Sequence, residues 1–520
     1  MNLVPERLVR DVAIVAVARH HWMVSLVQGM LDLYQRNGWH VVPACCTLPG
    51  SVMMARVPAL TAYQTSYLRE TRMKKAVLLP VLLVLLAGLT PAFAASSAAP
   101  KKPLAKNVIV MISDGWGYNH LEAVSYYEYG KDARQIYDRF PFQWAMSTYS
   151  FYCSYDPELA WSDWAYVRFC YTDSAAAATA MACGVKTYNG AIGVDIDGNA
   201  VPNVLEVAEQ KGKATGVVTS VPWTHATPAG HVAHNVSRGN YGAIGMEIVN
   251  VSAADVVMGA GHPWYDADGH LRQKPNSYGY VGGKATWDAL VAGTAGGDAD
   301  GDGVADPWTL IQTRAEFQAL MSGSTPERVL GTAQVYATLQ QGRSGDAFAH
   351  PYVVPRTETV PTLTEMTLAA LNILDNDPDG LYLMVEGGAI DGAAGSHQSG
   401  RMIEEAIEFE RTVEAVTDWV QENSNWGETL QVVTGDHETG YLWGPGSNPS
   451  WQPIANNGTG NLPGMQWNST GHTNSLMVLS AKGDAARLFR SYADLFDPVR
   501  GAYIDNTDLA KVVFRALNVQ

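Results

Sequence analysis

NVIVMISDGWG, residues 107–117, opens with seven residues that show no alternation of apolar and polar side chains and then meets an aspartate and a glycine. A short run that is apolar throughout is a strand buried on both faces, which belongs in a parallel or mixed sheet covered by helices on each side. The same kind of run recurs outward along the chain at 215–220, 381–385, 430–434 and 476–480. Between these runs lie helical patterns at 175–182, 204–211, 364–374 and 400–422. The alternation predicts an α/β fold, a three-layer sandwich with a central mostly parallel sheet and helices on both faces. In such sheets ligands bind beyond the carboxyl ends of the strands.

The residues just past each strand carry the chemistry. Asp114 comes after the first run, and His225 and Thr227 lie in the loop after 215–220. Glu386 and Asp391 come after 381–385, Asp436 and His437 after 430–434, and His472 stands shortly before the last strand. Acids and histidines gathered after strands predict a metal site on one rim of the sheet, since carboxylates there are costly to bury without a cation or partner. Ser174 opens an alanine-rich helix within TDSAAAATAMACGVKTYNGAIGVD, residues 172–195. Unpaired backbone N–H groups and the helix dipole favour negative charge at that position. Taken alone, such a serine is also a good helix cap.

The chain has 520 residues, 47% of them hydrophobic and 17% charged, with ample apolar material for a core. Its net charge of -16 argues against a nucleic-acid-binding module, although metal ions can reverse the field inside a site. From Met73 the sequence reads as a secretory signal: Lys74 and Lys75, an apolar stretch from Ala76 to Leu89, then Ala92-Phe93-Ala94 as a cleavage motif. The expected organisation is a doubtful leader at 1–72 arising from a start assigned too early, a signal peptide at 73–94, and a mature domain at 95–520. That predicts a periplasmic or secreted protein with no membrane anchor after cleavage. A Gly-rich polar region, about 262–350, is expected as an insertion decorating the domain. The aromatic stretch from Trp116 to Tyr171 serves either as a cleft wall or interface, or as extra core. Cys153 and Cys170 are placed to pair in an oxidising compartment, whereas Cys183 lies within a helix as a buried thiol. There is no Cys-based zinc pattern, so a metal must use histidines and carboxylates.

The 172–195 segment closely resembles the nucleophile region of alkaline phosphatases. The resemblance continues in order through ISDGWG at Asp114, THATPAGHVAHNVSR at 224–238, VEGGAID at 385–391, TGDHETG at 434–440 and GHT at 471–473. It implies that Ser174 attacks phosphate monoesters, forming a phosphoserine, and that Arg238 grips the phosphate with its planar guanidinium. It implies two zinc ions and one magnesium. One zinc would be held by Asp114, Asp436 and His437 and would bind the Ser174 oxygen, and the other would be held by Asp391, His472 and a further histidine. Magnesium would be held by Asp114, Thr227 and Glu386 with His225. Family members are often homodimers, so a homodimer is also expected.

Three positions depart from that pattern. His225 stands where many bacterial members carry aspartate. The family's zinc histidine four residues after Asp391 is replaced by Gly395, and a histidine comes two residues later as His397. The expectation is that His397 supplies the missing ligand through a rearranged loop, the competing one that this zinc position is weak. Gly392 replaces a residue that contacts the phosphate in relatives. Separately, DADGDGVAD at 298–306 sets Asp298, Asp300, Asp302 and Asp306 at the spacing of a calcium loop, lacking its final glutamate. A structural calcium is the expectation, and a solvated acidic turn the alternative. Against the monoesterase stand a phosphodiesterase of the same superfamily and a metal-impaired homologue that binds phosphate or calcium without turnover.

Overall fold

In the computed structural model, which describes residues 103–299 and 303–519, the run at 107–113 lies near the middle of the sheet. The expected signal segment at 73–94, residues 1–72, Asp300 and Asp302 lie outside the described residues. The main sheet has 11 strands. In chain order these are β1 (Asn107–Ser113), β2 (Phe142–Ser147), β3 (Ala214–Pro222), β4 (Val256–Ala260), β5 (Thr309–Ile311) and β6 (Val329–Thr332). β7 (Leu381–Gly387), β8 (Thr429–Gly435), β9 (Met477–Lys482), β10 (Leu495–Asp497) and β11 (Gly501–Asp505) complete it. Their spatial order is β10-β11-β2-β9-β8-β1-β7-β3-β4-β6-β5. The run from β8 to β5 is parallel throughout, while β9 pairs antiparallel with both β8 and β2.

Every residue of β1 is buried, because its two faces feed two different cores. Val108, Val110 and Ile112 point into one, and Ile109 and Met111 into the other, as the period of two requires. The first core holds the helices α2 (Ser174–Cys183), α3 (Ala226–Val232) and α7 (Thr507–Ala516). The second holds α1 (Tyr118–Tyr129), α4 (Leu363–Leu374), α5 (Ala389–Gly395) and the long α6 (Ser399–Asn423). The three-layer expectation therefore describes the molecule.

The α2 helix is buried all round, which its small side chains permit: alanine lets neighbouring backbones approach closely. A methyl group added at Gly230 of α3 would sit 2.7 Å from Ala178 Cβ, so the α2–α3 contact depends on the glycine. Strand and helix bounds predicted from sequence shift by a residue or two, as frayed ends do. The region 262–350 is more than a decoration, because β5 and β6 fall within it and extend the sheet at one edge. The aromatic segment supplies extra core at one part and exposed rings at another. Trp164 and Val167 form a small core with Tyr441, while Phe151, Tyr152, Phe169 and Tyr171 stay exposed. Cys153 and Cys170 are bonded, with their Cα atoms 5.3 Å apart, and Cys183 is a buried free thiol.

Candidate metal centre

Parallel strands bring their carboxyl ends to one rim, and register sets the depth of each group. Ile112 of β1 pairs with Glu386 of β7, which in turn pairs with Thr219 of β3. Asp114 comes at the end of β1, and Gly115 then turns with φ +81. Gly115 is required there: an added Cβ would lie 2.6 Å from Asp391 Cα, so only glycine lets α5 close on the end of β1. Its backbone N–H donates to Asp436 Oδ1 at 3.1 Å, and the His437 N–H donates to the same oxygen at 2.8 Å.

Two groups of metal-ligating type converge here, each with its candidate atoms within 4.8 Å of one another: Asp114, Asp436 and His437, and Asp391, His437 and His472. His437 Nε2 is 3.2 Å from Asp436 Oδ2 and 3.4 Å from Asp114 Oδ1. His472 Nε2 is 3.5 Å from Asp391 Oδ1, and the two imidazoles stack with ring centroids 3.6 Å apart. His472 reaches the rim through a two-residue antiparallel pairing in which it opposes Thr439. Thr439 also donates to Asp391 Oδ1 at 2.5 Å.

Ser174 is the first residue of α2, and its hydroxyl is 3.1 Å from His437 Nε2. Asp173 caps the helix, accepting from the Ala176 N–H at 3.0 Å, and also accepts from the Gly190 N–H and from Arg238 Nη1 at 3.1 Å. One carboxylate thus ties the helix start, a neighbouring loop and the predicted phosphate-gripping arginine together.

The electrostatics are those of a cation site. Burial, reinforced by Asp436, Asp391 and Glu386, holds the Asp114 carboxyl well above the usual carboxylate range. Burial pushes Asp436 up to about 6 and Glu386 up to about 7. At Asp391 burial pulls the same way, but His472 and His437 outweigh it and hold that carboxyl low. Asp114 Oδ1, Asp436 Oδ2, Glu386 Oε1 and Thr227 Oγ1 are all buried without a hydrogen-bond partner among the described residues. Buried carboxylate oxygens left this way are costly unless a cation meets them. Imidazole with carboxylate fits zinc, and the oxygen-only pair of Glu386 and Thr227 fits magnesium.

Not every predicted ligand joins the cluster. His397 sits with φ +57, stacks parallel on Trp467, and has Nε2 2.7 Å from the Ser469 carbonyl oxygen. It belongs to neither convergent group. His225 precedes α3 and stacks on Tyr241 at 5.8 Å, also outside both groups. In the acidic loop, the Gly303 N–H donates to Asp298 and the Ala299 N–H to Asp306, so those two carboxylates bond to their own turn.

Several contributors escaped the sequence reading. Asp173 had a signal, since an aspartate directly before an alanine run is a helix-start signature. Thr439 and Glu438 had none, because their roles come from pairing with the His472–Thr473 strand: Glu438 Oε2 accepts from Thr473 at 2.5 Å. His120 is likewise buried, its Nδ1 accepting from the Gly117 N–H and its Nε2 without a partner among the described residues.

A three-layer α/β sheet with carboxylates, imidazoles and one helix-start serine gathered at its carboxyl rim defines a class of protein whose chemistry sits beyond the strand ends, among groups that could hold a metal ion. Within that class, the alkaline phosphatase family model matches residues 105–474, and the chain belongs to that family. It is 33% identical over 344 residues to alkaline phosphatase 3 of Bacillus subtilis, covering 64% of this chain and 61% of that protein's length. To alkaline phosphatase H of Pseudomonas aeruginosa it is 31% identical, covering 65% of this chain and 70% of that one. The alkaline phosphatase of the Antarctic bacterium TAB5 shares the fold at TM-score 0.56 and 23% identity, over 80% of this chain and 98% of that one.

Proposed function

We propose that this chain hydrolyses phosphate monoesters, with Ser174 taking the phosphoryl group and water then removing it. The observation that carries this reading is the Ser174 hydroxyl, which opens a buried helix 3.1 Å from His437 Nε2 beside two carboxylate–imidazole groups. Family membership supports phosphate-monoester hydrolysis in general. Two zinc ions would be held by Asp114, Asp436 and His437 and by Asp391 with His472. One magnesium would be held by Glu386 and Thr227 with Asp114. A histidine-to-aspartate mutant of the TAB5 enzyme is described with magnesium in its M3 site, which supports a magnesium position in this fold. When bound, such ions supply positive charge and Lewis acidity that lower the proton affinity of nearby oxygens and offset the charge of the phosphate.

The chain's own groups do the rest. Arg238, held by Asp173, presents its guanidinium to two phosphate oxygens. The free N–H groups at the start of α2 face the same charge. Ser174 Oγ gives its proton to solvent water and bonds to phosphorus as the bond to the leaving oxygen breaks in line with it, and that oxygen takes a proton from water and departs as the alcohol. Water then attacks phosphorus, the bond to Ser174 breaks, and inorganic phosphate departs. Export to the periplasm or medium is part of the proposal and rests on residues 73–94.

The test is colour release from a nitrophenyl phosphate monoester and the matching diester, for wild type and Ser174→Ala, with bound metals counted. Expected is monoester turnover that falls at least about a thousandfold in the variant while metal content is kept. Equal activity in the variant would remove Ser174 from the mechanism, and a preference for the diester would favour the related phosphodiesterase. One observation favours a second reading, a phosphate-binding homologue without turnover: Asp391 and His472 gather no third ligand among the described residues except His437, which the other group shares. A folded wild type that retains phosphate without hydrolysing either ester would bring that reading forward.

A further inference from the structure

Four aromatic side chains flank the Cys153–Cys170 bridge with their rings open to solvent: Phe151 is 45% exposed, Tyr152 78%, Phe169 67% and Tyr171 41%. Phe151 and Tyr152 meet each other edge-on, whereas Tyr171 meets the rim itself. The segment bearing Phe169 and Tyr171 runs straight into the nucleophile helix, and it is held in register there. The Tyr171 carbonyl accepts from the Asn189 amide at 3.2 Å, and the same Asn189 accepts from the Asp173 N–H at 3.1 Å. The intervening Thr172 carbonyl is 2.9 Å from His472 Nδ1. The Tyr171 ring then meets the His472 ring edge-on, centroids 5.9 Å apart.

These contacts order the rings from the interior outward. Ser174 touches His437, whose side chain is fully buried. His437 stacks on His472, whose side chain is 20% exposed, and His472 meets Tyr171 at the surface. The Tyr171 ring is thus the solvent-exposed end of a chain of side chains that begins at Ser174.

We propose that Tyr171, with Phe169 two residues before it in the chain, forms a leaving-group subsite that selects phosphate monoesters whose alcohol part is aromatic. The inference rests on the monoesterase reading and goes beyond it, since phosphate chemistry alone leaves the alcohol part unselected. An aromatic leaving group gains offset or edge contacts with these rings, whereas a small polyol gains none. The disulfide and Asn189 fix the wall before substrate arrives, so little ordering cost falls on binding.

The test compares naphthyl phosphate with glycerol phosphate in the metal-loaded wild type, Phe169→Ala, Tyr171→Ala and Tyr171→Phe. Each effect is read as variant against wild type for the same ester, so the intrinsic reactivity of the two esters cancels. Expected is a rise in KM for the naphthyl ester of roughly tenfold in the alanine variants, with kcat kept, because the contact is present in ground and transition states alike. Glycerol phosphate should change less than about twofold, and Tyr171→Phe should behave as wild type, since the ring is what matters. Equal changes for the two esters, or none, overturn the subsite. Conversion of a dimer to a monomer by Phe169→Ala, by light scattering and with the ester ratio unmoved, also overturns it, making the patch a self-association face. Wild type inactive on both esters would instead strike the monoesterase reading itself.

Discussion

At the scale of single residues, Gly395 and His397 carry the sharpest question. The His397 imidazole is committed to Trp467 and the Ser469 carbonyl, and it stays apart from Asp391 and His472. A Cβ added at Gly395 would meet Thr439 Cγ2 at 3.6 Å and the Thr470 carbonyl oxygen at 3.3 Å, on the side where Thr439 holds Asp391. The space is tight and open enough for a side chain after a small shift. His397→Ala should therefore leave zinc stoichiometry within error of wild type, whereas Gly395→His should tighten the weaker zinc by about tenfold or more. Competition against a graded chelator measures both. Loss of one zinc in His397→Ala would return that histidine to the site.

At the scale of elements, the start of α2 depends on Asp173, which serves as cap, loop anchor and partner of Arg238. Asp173→Ala should cost about 1–2 kcal/mol of stability through the lost cap. It should also weaken inhibition by inorganic phosphate several-fold, because Arg238 loses its orientation. Denaturant melts and phosphate inhibition constants read the two effects separately, and unchanged phosphate inhibition would show that Arg238 needs no tether. A second element-scale device joins α1 to α6. Burial, with Glu128 next, raises the Glu410 carboxyl from 4.5 to about 9, while Tyr129 donates to it and the Arg411 charge opposes the shift. Because the folded state favours the protonated form, this contribution to stability is full below 4.5 and is lost as pH rises towards about 9. Glu410→Gln keeps the neutral form, so its melting temperature should exceed that of wild type near pH 9 and match it near pH 5. A constant difference across that range would refute the buried protonated acid.

At the scale of the whole molecule, the rim joins β1, β3, β7 and β8 through groups that repel one another without a cation. Metal that binds only the folded state stabilises it by mass action. Chelation should therefore lower the melting temperature by roughly 5 °C as well as stop turnover, with zinc restoring both. Identical melts with and without chelator would mean that the carboxylates are neutralised by protons instead.

The sequence by itself determined the sheet, because a strand buried on both faces must be apolar at every position, and Asn107–Ser113, Leu381–Gly387 and Thr429–Gly435 are nearly so. It also determined the rim, because parallel strands deliver the residues at their carboxyl ends to the same edge, and here those residues are acids and histidines. Only the tertiary structure decided which groups meet. His472 reaches Asp391 through a two-residue pairing too short to leave a pattern, and His397, two positions from the family's place, turns to Trp467 instead. Likewise β5 and β6 join the sheet from a polar region: β5, at the edge, is only partly covered, and β6, though buried, is four residues long, too short a run to stand out. Pattern in sequence records burial along one element. Contact between elements depends on a few ångströms of register and turn, which no local pattern encodes.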